Sequence, residues 1–158
     1  MANTYTQLYV HVIFAVKGRS NLLSKNLKPV LYSFIAGIFR SQNQKLMIIN
    51  GTGDHVHILI GLRPDSNLSD FIRELKSNSS RWINENGFLT GKFEWQRGFG
   101  AFSVGPNYVK TVINYIKGQE EHHRKRTFRE EYVDFLESYE IEFKREFIFD
   151  EFNNSTEC

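Results

Sequence analysis

The 158-residue chain contains few of the features that disulfide-bonded, membrane-spanning or multidomain proteins require. Its single cysteine, Cys158, is the last residue and cannot form a disulfide within the chain, which is typical of a cytoplasmic protein. No apolar stretch approaches the roughly twenty residues needed to cross a bilayer, and the first residues lack a secretory signal pattern. With three prolines and no repeat, the chain offers no interdomain linker. We therefore expect a cytoplasmic, single-domain protein without a membrane segment.

An excess of charge of one sign is also missing, since 20 Lys and Arg residues nearly balance 18 Asp and Glu residues. The net charge of +2 excludes a uniformly basic surface, so any contact with nucleic acid must be a local patch. Hydrophobic residues make up 41% and aromatic residues 15% of the chain, which argues for a folded protein rather than a disordered one. One domain over residues 1–158 is long enough to bury a substantial core.

The spacing of apolar residues predicts the element order β-α-β-β-α-β, followed by further helices and a C-terminal extension over about 127–158. Strands are predicted over 5–16, 44–50, 55–62 and, broken at Gly98 and Gly100, over 93–97 and 100–104. Helices are predicted from Ser24 to about Gln42, from Asn67 or Ser69 to about Asn84, and over about 106–123. This order indicates an α+β fold, a ferredoxin-like split βαβ unit with an antiparallel sheet. Both helices between the strands would lie on one face, leaving the other face open.

A His-Val-His triplet begins the second strand of a hairpin predicted across Asn50–Asp54, whose glycines are expected to give the turn its backbone freedom. Because side chains alternate along a strand, His55 and His57 lie on one face and Val56 on the other. Two imidazoles on one rigid strand form half of a metal site. The alternative is a pair of histidines on a half-polar sheet face that binds no metal. The triplet alone does not decide between them.

The helix predicted over about 106–123 carries Tyr115 and Gln119, four residues apart. Side chains at this spacing share a helix face, so a phenol and an amide oxygen can point to one place. If this helix packs next to the histidine strand, it would place the Tyr115 hydroxyl, a nucleophile, beside a bound metal. Taken separately, Tyr115 is a half-buried tyrosine of an amphipathic helix, and Gln119 is a solvated polar residue.

Several longer stretches accompany these residues in a familiar order: Tyr9-Val-His-Val-Ile-Phe14 with Lys17 and Arg19, Gly53-Asp-His-Val-His-Ile-Leu59, Leu75-Lys-Ser-Asn-Ser-Ser-Arg81, Trp95-Gln-Arg-Gly-Phe-Gly-Ala-Phe-Ser-Val104 and Tyr115-Ile-Lys-Gly-Gln-Glu-Glu-His-His123. Together they resemble the single-tyrosine HUH transposases of the insertion-sequence-200/605 type, where HUH means histidine, hydrophobic residue, histidine. The resemblance extends to about Tyr132.

The resemblance implies a DNA transposase that binds hairpins in single-stranded DNA at element ends. Carried over position by position, it makes Tyr115 the nucleophile and His55, His57 and Gln119 the metal ligands. Cleavage would form a 5′-phosphotyrosine intermediate, and the strands would be rejoined without a nucleotide cofactor. Two imidazoles and one amide oxygen are a neutral, half-filled ligand set, which suits Mg²⁺ or Mn²⁺ better than Zn²⁺.

The same resemblance implies a homodimer, in which the tyrosine helix of one chain can reach the histidine pair of its partner. Basic residues are candidates for contact with the DNA backbone: Lys76, Arg81, Arg97, Arg124 and Lys125. Each is also explained as a solvated surface charge, and the last two belong to a basic run just after the tyrosine helix. Trp95 and Phe99 are candidates for stacking on bases.

Two residues near the histidine pair have open roles. Asp54 either orients a histidine as its carboxylate partner or closes the glycine turn. His11, on the first strand, is expected on the sheet face near the site, in a structural role rather than as a ligand. No residue identifies itself as the base that would assist a phenol whose ordinary pKa is near 10.

Two other functions stay open at this point. One is a domesticated relative of the same enzymes that acts on repetitive palindromic hairpins in the chromosome. The other is a non-catalytic nucleic-acid-binding module on a similar sheet, which would carry exposed aromatic residues on its central strands. The presence of a histidine pair on the strand favours the enzyme.

Overall fold

Within the part of the chain that the structure describes, the sheet has four antiparallel strands in the order β2-β3-β1-β4. The computed structural model describes residues 4–122 and 127–141. The strands are β1 (Tyr9–Ala15), β2 (Lys45–Gly51), β3 (His55–Gly61) and β4 (Gly100–Val104). This order is that of the ferredoxin-like fold, so the α+β prediction is confirmed. It puts β3, the histidine strand, between β1 and β2 in the interior of the sheet.

Helices α1 (Leu27–Ser41) and α2 (Leu68–Glu85) cover one face of the sheet. Their first turns are held by the predicted residues, because the Ser24 hydroxyl accepts from the Leu27 N–H at 3.1 Å and Asn67 accepts from the Asp70 N–H at 3.0 Å. Buried alternate residues of β1 and β3 pack against both helices: Val12, Phe14, Val56, Ile58 and Ile60. The main core therefore lies on this side.

The second face, predicted to be open, is covered by three helices. These are α3 (Val109–Lys117), α4 (Gln119–His122) and α5 (Phe128–Ser138). Apolar residues of α5, including Phe128 and Leu136, pack on Ile13 and Phe102 of the sheet. The element order of the ferredoxin-like unit gives no information about helices that follow β4, which is why the expectation of an open face was wrong.

Several elements differ from their predicted bounds, and β1 begins at Tyr9 rather than at residue 5. The helix predicted over about 106–123 is divided into a 3-10 turn at Pro106–Tyr108, then α3, then α4, with Gly118 ending α3 at φ −90° and ψ 15°. The segment 93–97 forms a single bridge, Val16 to Trp95, in place of a strand. Gly98 follows it with φ +80°, which turns the backbone before β4 begins.

Gly51, at the end of β2, is required by close approach. A Cβ atom there would lie 2.1 Å from the His55 carbonyl oxygen and 2.9 Å from Cα of Val56, both backbone atoms. The chain is thus tightly packed against its own backbone at the start of the histidine strand. Among the helices that the structure describes, none is long and apolar enough to cross a membrane.

Candidate active site

Strand β3 delivers both histidines to the helix-covered second face of the sheet. His55 and His57 are each 0% exposed. In the β1–β3 pairing His57 lies opposite Ile13, and His55 lies opposite Ala15, so β1 fixes the depth of both rings. The two ring centroids are 5.1 Å apart, which confirms that the triplet presents its imidazoles together.

His55 is oriented by the turn that precedes it. Its Nδ1 lies 2.7 Å from Oδ1 of Asp54 and 3.0 Å from Oγ1 of Thr52, whose hydroxyl also donates to Asp54 at 2.9 Å. An Nδ1–H that donates to the Asp54 carboxylate leaves Nε2 as the lone-pair nitrogen. Asp54 therefore closes the turn and orients His55, so the two readings of this residue are compatible.

His57 is oriented by His11, whose Nε2 lies 2.8 Å from Nδ1 of His57. Burial, reinforced by the charge of His57 and opposed by that of Glu131, lowers the pKa of His11 to about 3. His11 is therefore neutral near pH 7 and can accept the Nδ1–H of His57. A neutral His57 ring with its proton on Nδ1 directs the Nε2 lone pair into the site, as a neutral His55 ring does, whereas a charged His57 ring donates its Nε2–H to Glu131. This arrangement agrees with the structural role expected for His11.

The tyrosine helix is fixed to the edge of the sheet by Asn50 of β2. The Asn50 side-chain amide donates to the carbonyl oxygens of Ile116 at 2.9 Å and Lys117 at 3.2 Å, in the last turn of α3. Beyond this cap, Gln119 is 0% exposed, and its Oε1 lies 3.0 Å from Nε2 of His55. The Tyr115 ring centroid lies 6.0 Å from that of His57. The four residues singled out in the sequence meet within one chain.

Glu131 of α5 lies among these four residues, and the sequence analysis missed it. Its carboxylate is 0% exposed. Oε1 lies 3.0 Å from Nε2 of His57 and 3.7 Å from Nε2 of His55. Oε2 accepts a hydrogen bond from Gln119 Nε2 at 3.0 Å and another from the Tyr115 hydroxyl. A signal was present, because Glu131 lies three residues after Phe128 and four before Phe135, on the apolar side of α5.

The arrangement of lone pairs fits a bound cation. When both rings are neutral and carry their proton on Nδ1, toward Asp54 and His11, the Nε2 lone pair of His57 faces a carboxylate oxygen, and that of His55 faces the amide oxygen of Gln119. Two acceptors about 3 Å apart repel each other unless a proton or a metal ion lies between them. His55, His57 and Glu131 offer ligand atoms within 4.8 Å of one another, so this buried group could bind a metal ion.

Helix α5 also closes the site sterically. The Phe128 ring stacks on His55 with a centroid distance of 3.8 Å and an interplanar angle of 8°. Phe135 meets His11 edge-on at 5.1 Å. Tyr115 is half-buried, whereas His55, His57, Gln119 and Glu131 are fully covered. The polar group is thus enclosed in a low-dielectric environment, where electrostatic interactions are strong.

The predicted DNA-contact residues lie outside this site, and they differ in exposure and in hydrogen bonding. The Lys76 ammonium donates to the carbonyl oxygens of Gln96 and Gly98, both at 2.6 Å, and burial lowers the pKa of Lys76 to about 8. Arg81 is exposed and donates to Oδ1 of Asn78 at 2.5 Å. Arg97 is exposed. Arg124 and Lys125 lie outside the described residues.

An open groove of about 850 Å³ lies between α2 and the 94–99 segment. Basic and aromatic side chains line it, including Lys17, Arg73, Arg97 and Phe99. Trp95, expected as a stacking platform, is 8% exposed and donates its indole N–H to Ser79 at 2.9 Å. It is therefore a core residue, while Phe99 keeps a partly exposed ring at the groove.

A ferredoxin-like sheet with a buried His-x-His pair facing a tyrosine helix defines the class of protein expected from the sequence resemblance. The chain belongs to the family of IS200-like transposases, because the family model described as "Transposase IS200 like" matches residues 4–119. That match ends at Gln119, before α5 begins.

Curated transposases are similar to the chain in sequence. The transposase for insertion sequence element IS200 of Salmonella typhimurium is 28% identical over 124 residues, which cover 75% of this chain and 81% of that protein. The ISDra2 transposase TnpA of Deinococcus radiodurans is 26% identical over 120 residues, covering 72% of this chain and 84% of that protein.

Solved structures support the fold. A crystal structure described as that of a transposase from Deinococcus radiodurans R1 has a TM-score of 0.61 and 23% identity, covering 74% of this chain and 94% of that one. A REP-associated tyrosine transposase bound to a REP hairpin has a TM-score of 0.57 and 16% identity, covering 80% of this chain and 73% of that one.

Proposed function

We propose that this transposase binds hairpins in single-stranded DNA, cleaves a strand through a 5′-phosphotyrosine on Tyr115 and rejoins strands in a metal-dependent reaction. The observation that carries the proposal is the meeting of Tyr115 with His55, His57 and Gln119 in one buried site of a single chain. Membership of the transposase family supports the same function.

The proposed reaction uses the Tyr115 hydroxyl oxygen as the nucleophile. This oxygen attacks the scissile phosphorus in line, the bond from phosphorus to the 3′ oxygen breaks, and the departing oxygen gains a proton as the phenol loses one. The 5′ phosphate stays on Tyr115 as a diester, and a free 3′ hydroxyl is released. Attack by a 3′ hydroxyl on that diester reverses the step and rejoins the strands, so no nucleotide cofactor is needed.

The ligand atoms support a divalent ion in this site. His55, His57 and Gln119 would hold it, with the two imidazole rings oriented by Asp54 and His11. When bound, a Mg²⁺ or Mn²⁺ ion supplies polarisation and charge neutralisation at the scissile phosphate. Two nitrogen ligands favour Mn²⁺ over Mg²⁺ in affinity, because Mg²⁺ prefers oxygen ligands and keeps its waters.

Replacing Tyr115 with phenylalanine tests the nucleophile. Tyr115→Phe keeps the ring and removes only the attacking oxygen, so we expect no covalent protein–DNA adduct with a labelled single-stranded hairpin on a denaturing gel, and unchanged hairpin binding. The matched control is Tyr108→Phe, since Tyr108 is 65% exposed and lies outside the site; it should form adduct at the wild-type level. Adduct that persists in Tyr115→Phe would assign the nucleophile to another tyrosine.

The geometry supports cleavage in which the histidine pair and the tyrosine come from one chain. The resemblance implied a dimer with a shared site, and homodimerisation stays a prediction. We expect co-expressed His57→Ala and Tyr115→Phe chains to form no adduct, because every single-chain site then carries a lesion. Recovery of up to about half the wild-type activity would instead demonstrate a shared site, since one of the two composite sites in a heterodimer would be intact.

A second candidate role keeps the chemistry and changes the substrate. The likeness to a tyrosine transposase bound to a REP hairpin favours a domesticated enzyme that acts on repetitive chromosomal palindromes. The DNA around the gene tests it: imperfect palindromes at both borders indicate a mobile element, and their absence favours domestication. The non-catalytic module loses support, because helices cover the sheet face that such a module would use.

A further inference from the structure

Both carboxylate oxygens of Glu131 contact residues of the proposed catalytic site. Glu131 comes from α5, beyond the 4–119 range that the family model matches, and it is 0% exposed. Burying an ionised carboxylate is unfavourable unless the charge is paired or coordinates a metal. Its position on the apolar side of α5 is therefore a departure from ordinary helix packing that calls for a specific interaction.

The two oxygens of Glu131 face different groups. Oε1 is directed at the imidazoles, 3.0 Å from Nε2 of His57 and 3.7 Å from Nε2 of His55. Oε2 accepts from the Tyr115 hydroxyl and from the amide nitrogen of Gln119, which leaves the amide oxygen directed at His55. One carboxylate thus lies between the proposed metal ligands and the proposed nucleophile.

The spacing of the ligand atoms is that of ordinary hydrogen bonds, and it is also compatible with a shared ion. Two ligands about 2.1 Å from an ion and at right angles to each other lie about 3.0 Å apart. The His57–Glu131 pair and the His55–Gln119 pair are each separated by 3.0 Å. When both rings are neutral and carry their proton on Nδ1, both pairs consist of facing lone pairs, and a cation placed among them would satisfy all four residues at once.

We propose that Glu131 is a ligand of the divalent ion through Oε1, while its Oε2 positions the Tyr115 hydroxyl beside that ion. This inference rests on the proposed metal-dependent function and adds an anionic ligand to it. The site then has two imidazoles, one amide and one carboxylate. Because the carboxylate belongs to α5, metal binding also ties this helix to the sheet.

The inference is tested by the affinity of the protein for Mn²⁺ alone, measured by isothermal titration calorimetry. Glu131→Gln keeps the shape of the side chain and removes its charge, and we expect Mn²⁺ to bind at least about tenfold more weakly. The matched control is Glu130→Gln, which removes the same charge from the adjacent, exposed position of α5 and should leave the affinity within about twofold of wild type.

Circular dichroism in chelator verifies that Glu131→Gln is folded. His57→Ala defines the signal of a protein without the site. Wild-type affinity in Glu131→Gln overturns the inference and leaves the proposed function standing. If wild-type protein forms the Tyr115 adduct but binds no Mn²⁺, both the inference about Glu131 and the proposed role of the metal are wrong. Absence of the adduct in wild-type protein is a failure of the proposed function alone.

A second measurement needs no substitution at Glu131. Hydrogen exchange of the α5 amides, followed by mass spectrometry, should slow on addition of Mn²⁺, because coordination by Glu131 stabilises the docked helix. His57→Ala should show no such change. If Mn²⁺ binds but α5 exchanges at the same rate or faster, Glu131 is displaced by the ion rather than coordinated to it, and the inference is wrong.

Discussion

The two faces of the sheet differ in chemistry although the same strands supply both. On β3, His57 and Ile58 are adjacent in sequence and each is 0% exposed, but they point in opposite directions. Ile58 packs among apolar side chains between the sheet and the helices α1 and α2. His57 lies in a polar cluster beneath α3, α4 and α5 with His11, Gln119 and Glu131. A fully buried side chain therefore belongs either to an apolar core or to a polar cluster, depending on the face of the sheet.

The apolar face is built for stability and the polar face for chemistry. Apolar burial contributes favourable free energy in proportion to area, without regard to direction. A buried polar cluster stabilises a protein only when every group is paired, and it fixes particular atoms in particular places. Substitutions on the two faces should therefore affect different measurable quantities.

Metal removal should have the largest effect, and only on the polar face. We expect a chelator to abolish adduct formation and added Mn²⁺ or Mg²⁺ to restore it, while the far-ultraviolet circular dichroism spectrum is retained. The spectrum should survive because the apolar core does not depend on the ion. Cleavage that continues in chelator would refute the metal role, and loss of secondary structure would show that the polar face is required for folding.

Alanine substitution at the two adjacent β3 positions should separate the faces. We expect His57→Ala to lower the rate of adduct formation by on the order of a thousandfold, equivalent to about 4 kcal/mol, and also to lower the unfolding free energy, because it removes the partner of the buried His11 and Glu131. Ile58→Ala should lower the unfolding free energy by about 2–5 kcal/mol, because it opens a cavity in the core, and should leave adduct formation by the folded protein near the wild-type rate. Chemical denaturation and adduct assays at low temperature measure both quantities. An equal loss of adduct formation in folded His57→Ala and folded Ile58→Ala proteins would contradict the division between a polar, chemical face and an apolar, stabilising face.

The smallest expected effect distinguishes a structural cation from a DNA-binding one. Lys76→Gln removes the ammonium that links α2 to the carbonyls of Gln96 and Gly98, and should lower the unfolding free energy by roughly 1–3 kcal/mol. Arg97→Gln, at an exposed position of the same groove, should leave the unfolding free energy unchanged. It should reduce the slope of the logarithm of the hairpin-binding constant against the logarithm of salt concentration by about one. Titrations at several salt concentrations provide the measurement, and an unchanged slope would remove Arg97 from the interface.

The features that the sequence determined by itself are local. Alternation along a strand put His55 and His57 on one face, and the i, i+4 relation put Tyr115 and Gln119 on one side of their segment, even though Gly118 divides that segment. Capping chemistry restricted the start of α2 to Asn67 or Ser69, and the structure has Asn67 as the cap. The sheet order followed from the element order. Each depends on backbone geometry over a few residues or on the small set of allowed topologies.

The features that only the tertiary structure decided join residues far apart in the chain. Glu131 meets His57 across 74 positions, and His11 meets the same ring across 46. The closure of the second face by α5 is of the same kind. Apolar helix faces attract any apolar surface without direction, so their pattern predicts that α5 packs somewhere but not where. Its place is fixed by the joint packing of Phe128, Leu136 and the sheet, and that packing determines which carboxylate the histidines face.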